Sequence, residues 1–261
     1  MEEQALILER KNWDSDFFKR EIYQLIVNGP ISQSALNERM KELDCAGVWG
    51  VETVVYSDRV ADTPILEDAG FRLVDSKMTF ISKLTESEVA NRVPPFGSLR
   101  QVSSKDISSV SELTVECLVD NPEFNSRFKN PRLFSREESI RYYNAWNERC
   151  YTEQPELFVV WEVDGRVIAY FNYMRADTRD YSPLFKGILT AVNQSFRGYD
   201  LHNLMQEELF RRFGVQEWWV DNSTQVTNIA VIKNHIKARK VFKSSSLIFY
   251  RTTRSLFKGE N

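Results

Sequence analysis

Cysteine is scarce in this 261-residue chain, and histidine is scarcer still. The three cysteines, Cys45, Cys117 and Cys150, are odd in number and widely spaced, and no Cys-x-x-Cys pair occurs. That argues against a disulfide framework and a zinc site, and it fits the reducing cytoplasm. No run of 18 apolar residues is present, so no membrane span is expected. The opening stretch MEEQALILERKNWD is acidic and does not read as a signal peptide. There is no internal repeat and no low-complexity tract. An excess of positive charge is also lacking, with 34 Lys and Arg against 37 Asp and Glu and a net charge of −3. Without a global basic field, nucleic acid is not an expected partner, although a local basic pocket for a diphosphate remains compatible.

What is present points to a globular chain. Hydrophobic residues make up 42% and charged residues 27%, enough to bury a sizeable core. The 17 Phe and 6 Trp imply bulky packing or a cleft lined by rings. The length suits one large domain or two closely packed ones. The best boundary is Val93-Pro94-Pro95-Phe96-Gly97, which follows the polar stretch Thr85 to Arg92. It divides a small α/β segment, 1–92, from a larger one, 98–261.

Before that boundary ALILER and EIYQLIV read as strands, and Ser32 to Leu43 as a helix with Leu36, Met40 and Leu43 on one face. VWGVETVVYS reads as a further strand, Thr63 to Ala69 as a short helix stopped by Gly70, and FRLVDSKMTFISKL as a strand pair. After it, Ile107, Val110, Thr114 and Cys117 recur at helical spacing. A second helix runs from about Ser135 to Cys150, with Ser135 and Glu138 forming a capping box. LFVVWEV and RVIAYFNYM flank Asp164-Gly165, which suits a two-residue type I′ hairpin turn. GILTAV is a strand. Leu201, Leu204, Met205, Leu209 and Phe213 form a helical stripe, EWWVDNS a strand, Ile229, Ile232 and Ile236 another stripe, and SSSLIFYR a closing strand.

Chemistry concentrates in GILTAVNQSFRGYDLHNLM. An apolar strand ends at Val192, a tight turn carries Arg197-Gly198, and a helix opens at once. Backbone N–H groups and the helix dipole at such a turn suit a diphosphate without many basic side chains. This order of hairpin, strand, Arg-Gly turn and amphipathic helix resembles the acetyl-CoA site of the GNAT superfamily of N-acetyltransferases. Arg197 and Gly198 match that pattern, whereas Asp200 and His202 stand where the family commonly has Gly or Ala. An aspartate beside a diphosphate is repulsive unless its side chain turns away or caps the helix. Farther along, Asn228 matches the Asn that opens the last helix of the fold. Seven residues on, His235 stands where the family has a Tyr facing the thioester, and Arg239-Lys240 replaces the usual Gly-Phe.

Within the superfamily, Thr224, Gln225 and Asn228 and the closing Phe-Tyr-Arg resemble the dTDP-fucosamine acetyltransferase group of sugar-nucleotide N-acetyltransferases. Arg127, Phe128, Pro131 and Trp146 resemble a further stretch of that group, as do Trp13 to Phe18 and Asp68 to Phe80 in its small accessory region. The resemblance implies a mixed, mostly antiparallel twisted α/β sheet flanked by helices and split after Val192, with a small N-terminal α/β domain. It also implies transfer of acetyl from acetyl-CoA to the amine of a nucleotide-linked amino sugar, feeding bacterial surface polysaccharide, with no metal. A homodimer stays open.

Cofactor contacts are then expected at Thr190, Val192, Arg197, Gly198, Tyr199, Asp200, Leu201, His202 and Asn228. His235 is the candidate catalytic residue, because a free imidazole titrates near ~6.5 and can donate or accept a proton around neutrality. Backbone N–H groups of the splayed strand GILTAV are the candidate oxyanion donors. For the acceptor, Arg127 and Arg175 are candidates for the diphosphate, and Phe128, Tyr170 and Tyr173 for stacking, with Thr224 and Gln225 nearby in the pattern. Another small amine, such as an aminoglycoside or polyamine, and a non-catalytic acyl-CoA-binding module are the alternatives.

Overall fold

The computed structural model describes residues 6–85, 96–213 and 217–253, so Val93-Pro94-Pro95 of the expected linker lies outside the described residues. The chain begins with β1 (Leu6–Arg10), α1 (Asn12–Phe18), β2 (Ile22–Val27), α2 (Gln33–Cys45), β3 (Gly50–Tyr56), α3 (Thr63–Asp68) and β4 (Arg72–Thr85). It continues with β5 (Ser98–Gln101), α4 (Ile107–Thr114), α5 (Arg136–Glu153), β6 (Phe158–Val163) and β7 (Arg166–Arg175). It ends with β8 (Leu184–Val192), α6 (Leu201–Phe213), β9 (Glu217–Gln225), α7 (Ile229–Lys237) and β10 (Val241–Thr252).

Local chemistry accounts for many of these bounds. Ser32 caps α2 through Ala35 N, and Ser135 and Glu138 form the reciprocal capping box that opens α5. Asp164 and Gly165 both have positive φ, 48° and 74°, as a type I′ turn between β6 and β7 demands. One reading changes. Arg72–Thr85 form one long strand, β4, which runs unbroken through the polar Asp75-Ser76-Lys77. Trp13 to Phe18, quoted above only for a likeness, is helical in α1. The helical spacing from Ile107 to Cys117 holds in α4 and then passes into a wider turn over Val115–Val119.

Two compact units emerge, each assembled from more than one stretch of the chain. Among the described residues, the first gathers 6–77, 126–134 and 244–253; the second gathers 78–85, 96–125, 135–213 and 217–243. In the first, the strand order is β1-β2-β3-β10, with β2 parallel to β3 and the other pairs antiparallel. Leu25, Leu36, Val51, Leu66 and Phe71 lie at the centre of its core.

In the second unit the order is β9-β8-β7-β6-β5, antiparallel except where β8 meets β9. Successive residues of β7 point to opposite faces. Tyr170 and Asn172 bond to Thr114 of α4 and Asn147 of α5. Phe171 and Tyr173 share a core with Leu204, Met205 and Leu209 of α6. Helices therefore cover both faces of a twisted mixed sheet.

Candidate functional site

β8 and β9 run parallel but are paired only over Leu184–Lys186 against Trp219–Asp221. Beyond that the strands part, and from Gly187 onward β8 has no partner on that side among the described residues. The parting is built in twice. On the β7 side, Asn172 pairs with Leu189 and Tyr173 with Gly187, which leaves Ile188 as an extra residue in a β-bulge. Asn172 is fully buried and holds the bulge, since its Oδ1 accepts from Leu189 N at 2.8 Å. Its Nδ2 donates to Asn147 Oδ1 at 2.8 Å, and Asn147 Nδ2 donates in turn to Thr114 Oγ1 at 2.9 Å. On the β9 side, a Cβ at position 187 would overlap Asn222 Nδ2, so glycine permits the close approach from which the strands diverge.

The turn after Val192 is folded on itself. Arg197 Nε donates to Val192 O at 3.2 Å, and its Nη2 lies 3.9 Å from Cys117 Sγ. Gly198 and Asp200 both take left-handed backbone, with φ 89° and 62°. Asp200 thus adopts a conformation that favours glycine. Its Oδ1 accepts from Asn203 Nδ2 at 2.7 Å, and Lys237 Nζ lies 3.9 Å from Oδ2. The carboxylate is therefore held by Asn203 of α6, with Lys237 near it.

These pieces enclose a cleft of about 430 Å³. Thr190, Val192, Arg197, Gly198, Asp200, Leu201, His202 and Asn228 all line it, as do Cys117, Lys233 and Lys237. Tyr199 alone of the expected cofactor contacts turns outward, edge-on to Phe96. Two helix N-termini, of α6 and α7, and three cations meet at the cleft, a donor set suited to a diphosphate. The first of the added residues, Cys117, was legible only as one position of a helical stripe. Lys233 and Lys237 follow Asn228 at spacings that keep them on the cleft side of α7.

His235 does not reach this cleft. It is 1% exposed and packs against Phe80, with its ring 5.6 Å from that of His202. Burial, then the nearby Lys240 and His202, pushes its pKa down to about 2. His202, buried and beside Lys240, is pushed down to about 3. Both imidazoles are neutral, so neither meets the expectation of a group titrating near neutrality. The group that does is Lys240, which the sequence marked only as a departure: burial alone lowers it to about 7. Its Nζ donates to Gln206 Oε1 at 2.8 Å and Asn222 Oδ1 at 2.7 Å.

The expected acceptor residues scatter. Tyr170 and Tyr173 are fully buried; the hydroxyl of the first pairs with Thr114 and that of the second donates to Gln206 Oε1 at 2.7 Å. Both rings lie in the core, because β7 is central and covered on both faces. Arg127 and Phe128 belong to the first unit, where Arg127 Nε lies 2.7 Å from buried Glu52 and its guanidinium stacks on Phe128. Arg175 is exposed and paired with Asp177, while Thr224 is buried in β9 and Gln225 half-buried at its end. A second cavity, of about 720 Å³, shares Arg197, Asn121 and Glu123 with the cleft and adds Glu112, Glu116 and Asp120.

No family model matches the chain, and no curated protein matches it. Solved structures do. A GCN5-related N-acetyltransferase from Sphaerobacter thermophilus superposes with a TM-score of 0.59 at 13% identity, over 96% of this chain and 77% of that one. A tandem GNAT protein from the clavulanic acid biosynthesis pathway gives 0.54 at 12%, over 89% and 75%. A GCN5-related N-acetyltransferase from Kribbella flavida gives 0.53 at 10%, over 88% and 81%. With its parted parallel strands, bulge and Arg-Gly turn, this chain has the fold of the GCN5-related N-acetyltransferases.

Proposed function

We propose that the protein transfers an acetyl group from acetyl-CoA to a primary amine. The observation that carries this reading is the cleft where β8 parts from β9 beneath the N-termini of α6 and α7. In this reading Arg197, Gly198, Asp200, Leu201 and His202 surround the diphosphate with Lys233 and Lys237. Thr190 and Val192 border the arm of the coenzyme, and Asn228 caps α7 beside it. The free edge of β8 after Gly187 offers backbone N–H groups to the oxyanion that forms when the amine attacks the thioester.

The neutral imidazoles leave proton transfer a small part. A group whose conjugate acid is hardly populated at pH 7 is a poor donor to a leaving thiolate. Approximation of amine and thioester, with oxyanion stabilisation, carries the rate.

For the acceptor we propose a nucleotide-linked amino sugar, on the likeness of Arg127, Phe128, Pro131 and Trp146 and of Thr224, Gln225 and Asn228 to enzymes of that class. Arg175, exposed beside Asp177, and Gln225 are the residues kept for its polar groups. A specific observation favours a second class: the acid-lined cavity that shares Glu123 and Arg197 with the cleft suits a polyamine or aminoglycoside.

The test is thiol release from acetyl-CoA against a panel of nucleotide-linked amino sugars, polyamines and aminoglycosides. Release with a nucleotide sugar alone supports the first class, and release with polyamines alone replaces it with the second. Absence of release with every amine, together with no binding of coenzyme A by calorimetry, overturns the whole reading. In the same assay His235→Ala lowers the rate by less than about tenfold. A fall of about 10²–10⁴ that His235→Tyr partly restores would return His235 to direct proton transfer.

A further inference from the structure

Helix α7 is turned the wrong way round for a helix that only serves a core. At about 100° per residue, Ile229, Ile232 and Ile236 fall within roughly 60° of arc. Yet Ile229 is 53% and Ile236 62% exposed, while the inward residue of the helix is His235. An amphipathic helix normally buries its apolar stripe. The chain then continues into Val241, 64% exposed, and Phe242, 50% exposed. Phe242 shares the ring of Phe80 with His235, which ties it to the same corner of the second unit.

Charge sets the character of this corner. Residues 228–243 hold five Lys and Arg and no Asp or Glu, in a chain whose net charge is −3. Lys233, Lys237, Arg239 and Lys243 are exposed beside the apolar stripe. Lys243 is paired with Asp221 and Lys237 lies near Asp200, but neither Lys233 nor Arg239 has an acidic partner among the described residues. An apolar stripe edged by unpaired cations fits an anionic lipid surface, where the stripe enters the headgroup boundary and the cations meet phosphate. A second copy of the chain fits badly, since an isologous contact brings these cations against themselves. A protein groove is not needed, because the stripe is a ridge; none of the cavities described above is lined by Ile229, Ile236, Val241 or Phe242.

We infer that α7 and the start of β10 form a docking surface for an anionic membrane, which brings the mouth of the cleft to the lipid–water boundary. Lys233 and Lys237 border both the cleft and the ridge, so an acceptor amine carried at a membrane surface would arrive beside the thioester.

The test is co-sedimentation of the full chain with vesicles of phosphatidylcholine alone and of phosphatidylcholine with 30–40% (about one-third) phosphatidylglycerol. The expected result is sedimentation only with the anionic vesicles, lowered at least about tenfold by Ile229→Ser with Ile236→Ser, and lowered by Arg239→Gln and by salt. Both isoleucines are more than half exposed, so the double variant folds; its circular dichroism and its coenzyme A binding serve as controls. No sedimentation with anionic vesicles overturns the inference. So does equal sedimentation of the double variant, which would mean adsorption by charge alone. A dimer in solution that the double variant abolishes, without vesicle binding, assigns the ridge to a second copy and overturns it as well. Retention on polyglutamate but not on vesicles assigns it to an acidic protein, with the same consequence.

Discussion

Asp200, in left-handed backbone, and Lys240, a buried lysine, each carry a testable consequence. Asp200 spends a carboxylate at the mouth of a cleft suited to a diphosphate, although Asn203 and Lys237 hold it aside. Its left-handed backbone is one that glycine adopts freely. Asp200→Gly therefore tightens coenzyme A binding by about threefold to tenfold in calorimetry, on the order of 1 kcal/mol of relieved repulsion; unchanged or weaker binding would show that the carboxylate is fully screened. Lys240 concerns stability. Burial lowers it to about 7 from 10.5. Below pH 7 both folded and unfolded chains hold the proton, and the penalty of burying it is constant. Between pH 7 and 10.5 the unfolded chain binds a proton that the folded chain does not, so stability rises with pH in that window. Measured as Tm from pH 6 to 9.5, the parent gains on Lys240→Met as pH rises; parallel curves would place the lysine in a solvated site. The turn at Arg197-Gly198 and the Asn228 cap of α7 were legible as local structure, because turn and cap chemistry is set by adjacent residues. The sequence did not disclose that His235 faces inward, because a nine-residue helix can present either side to the core until its neighbours are known.

At the scale of elements, the bulge in β8 is the device that separates the strands, and its cause lies in other elements. Asn172 on β7, Asn147 on α5 and Thr114 on α4 form one buried hydrogen-bonded chain that ends on Leu189 N. Removing the amide of Asn172 leaves Leu189 N and Asn147 Oδ1 without partners in the core. Asn172→Leu should cost about 2–4 kcal/mol of stability. Because the bulge then loses its tie, coenzyme A binding falls by about tenfold as well. Denaturant unfolding and calorimetry read the two effects separately; a loss of stability with full affinity would mean that the bulge survives without Asn172. The hairpin between β6 and β7 and the caps of α2 and α5 were legible because a few adjacent residues determine them. The bulge was not, since an extra residue in one strand is defined only against its partner. The unbroken length of β4 was missed because the polar run Asp75-Ser76-Lys77 has turn-like chemistry, and only pairing with neighbouring strands decides that it stays extended.

At the scale of the whole molecule, the chain returns twice to its first unit, and linear reading hides both returns. Residues 126–134 bring Arg127 to Glu52, which is also paired with Lys11. Burial works to raise the Glu52 carboxyl, but Arg127 and Lys11 together hold it lower than usual. Later, β10 pairs with β3 over seven residues, Ser246 to Thr252 against Tyr56 to Gly50, and places Phe249 in the first core. A segment ending at 92 possesses β3 and Glu52 but lacks both partners. It would expose one edge of β3 and leave a buried carboxylate without Arg127, each of which costs several kcal/mol on the scale of a small domain's stability. The fragment 1–92 should therefore show neither cooperative thermal unfolding nor protected amides in hydrogen exchange. A folded fragment 1–92 would show that β10 and Arg127 are additions to a self-sufficient unit, and the Pro-Pro boundary would then be a true domain border.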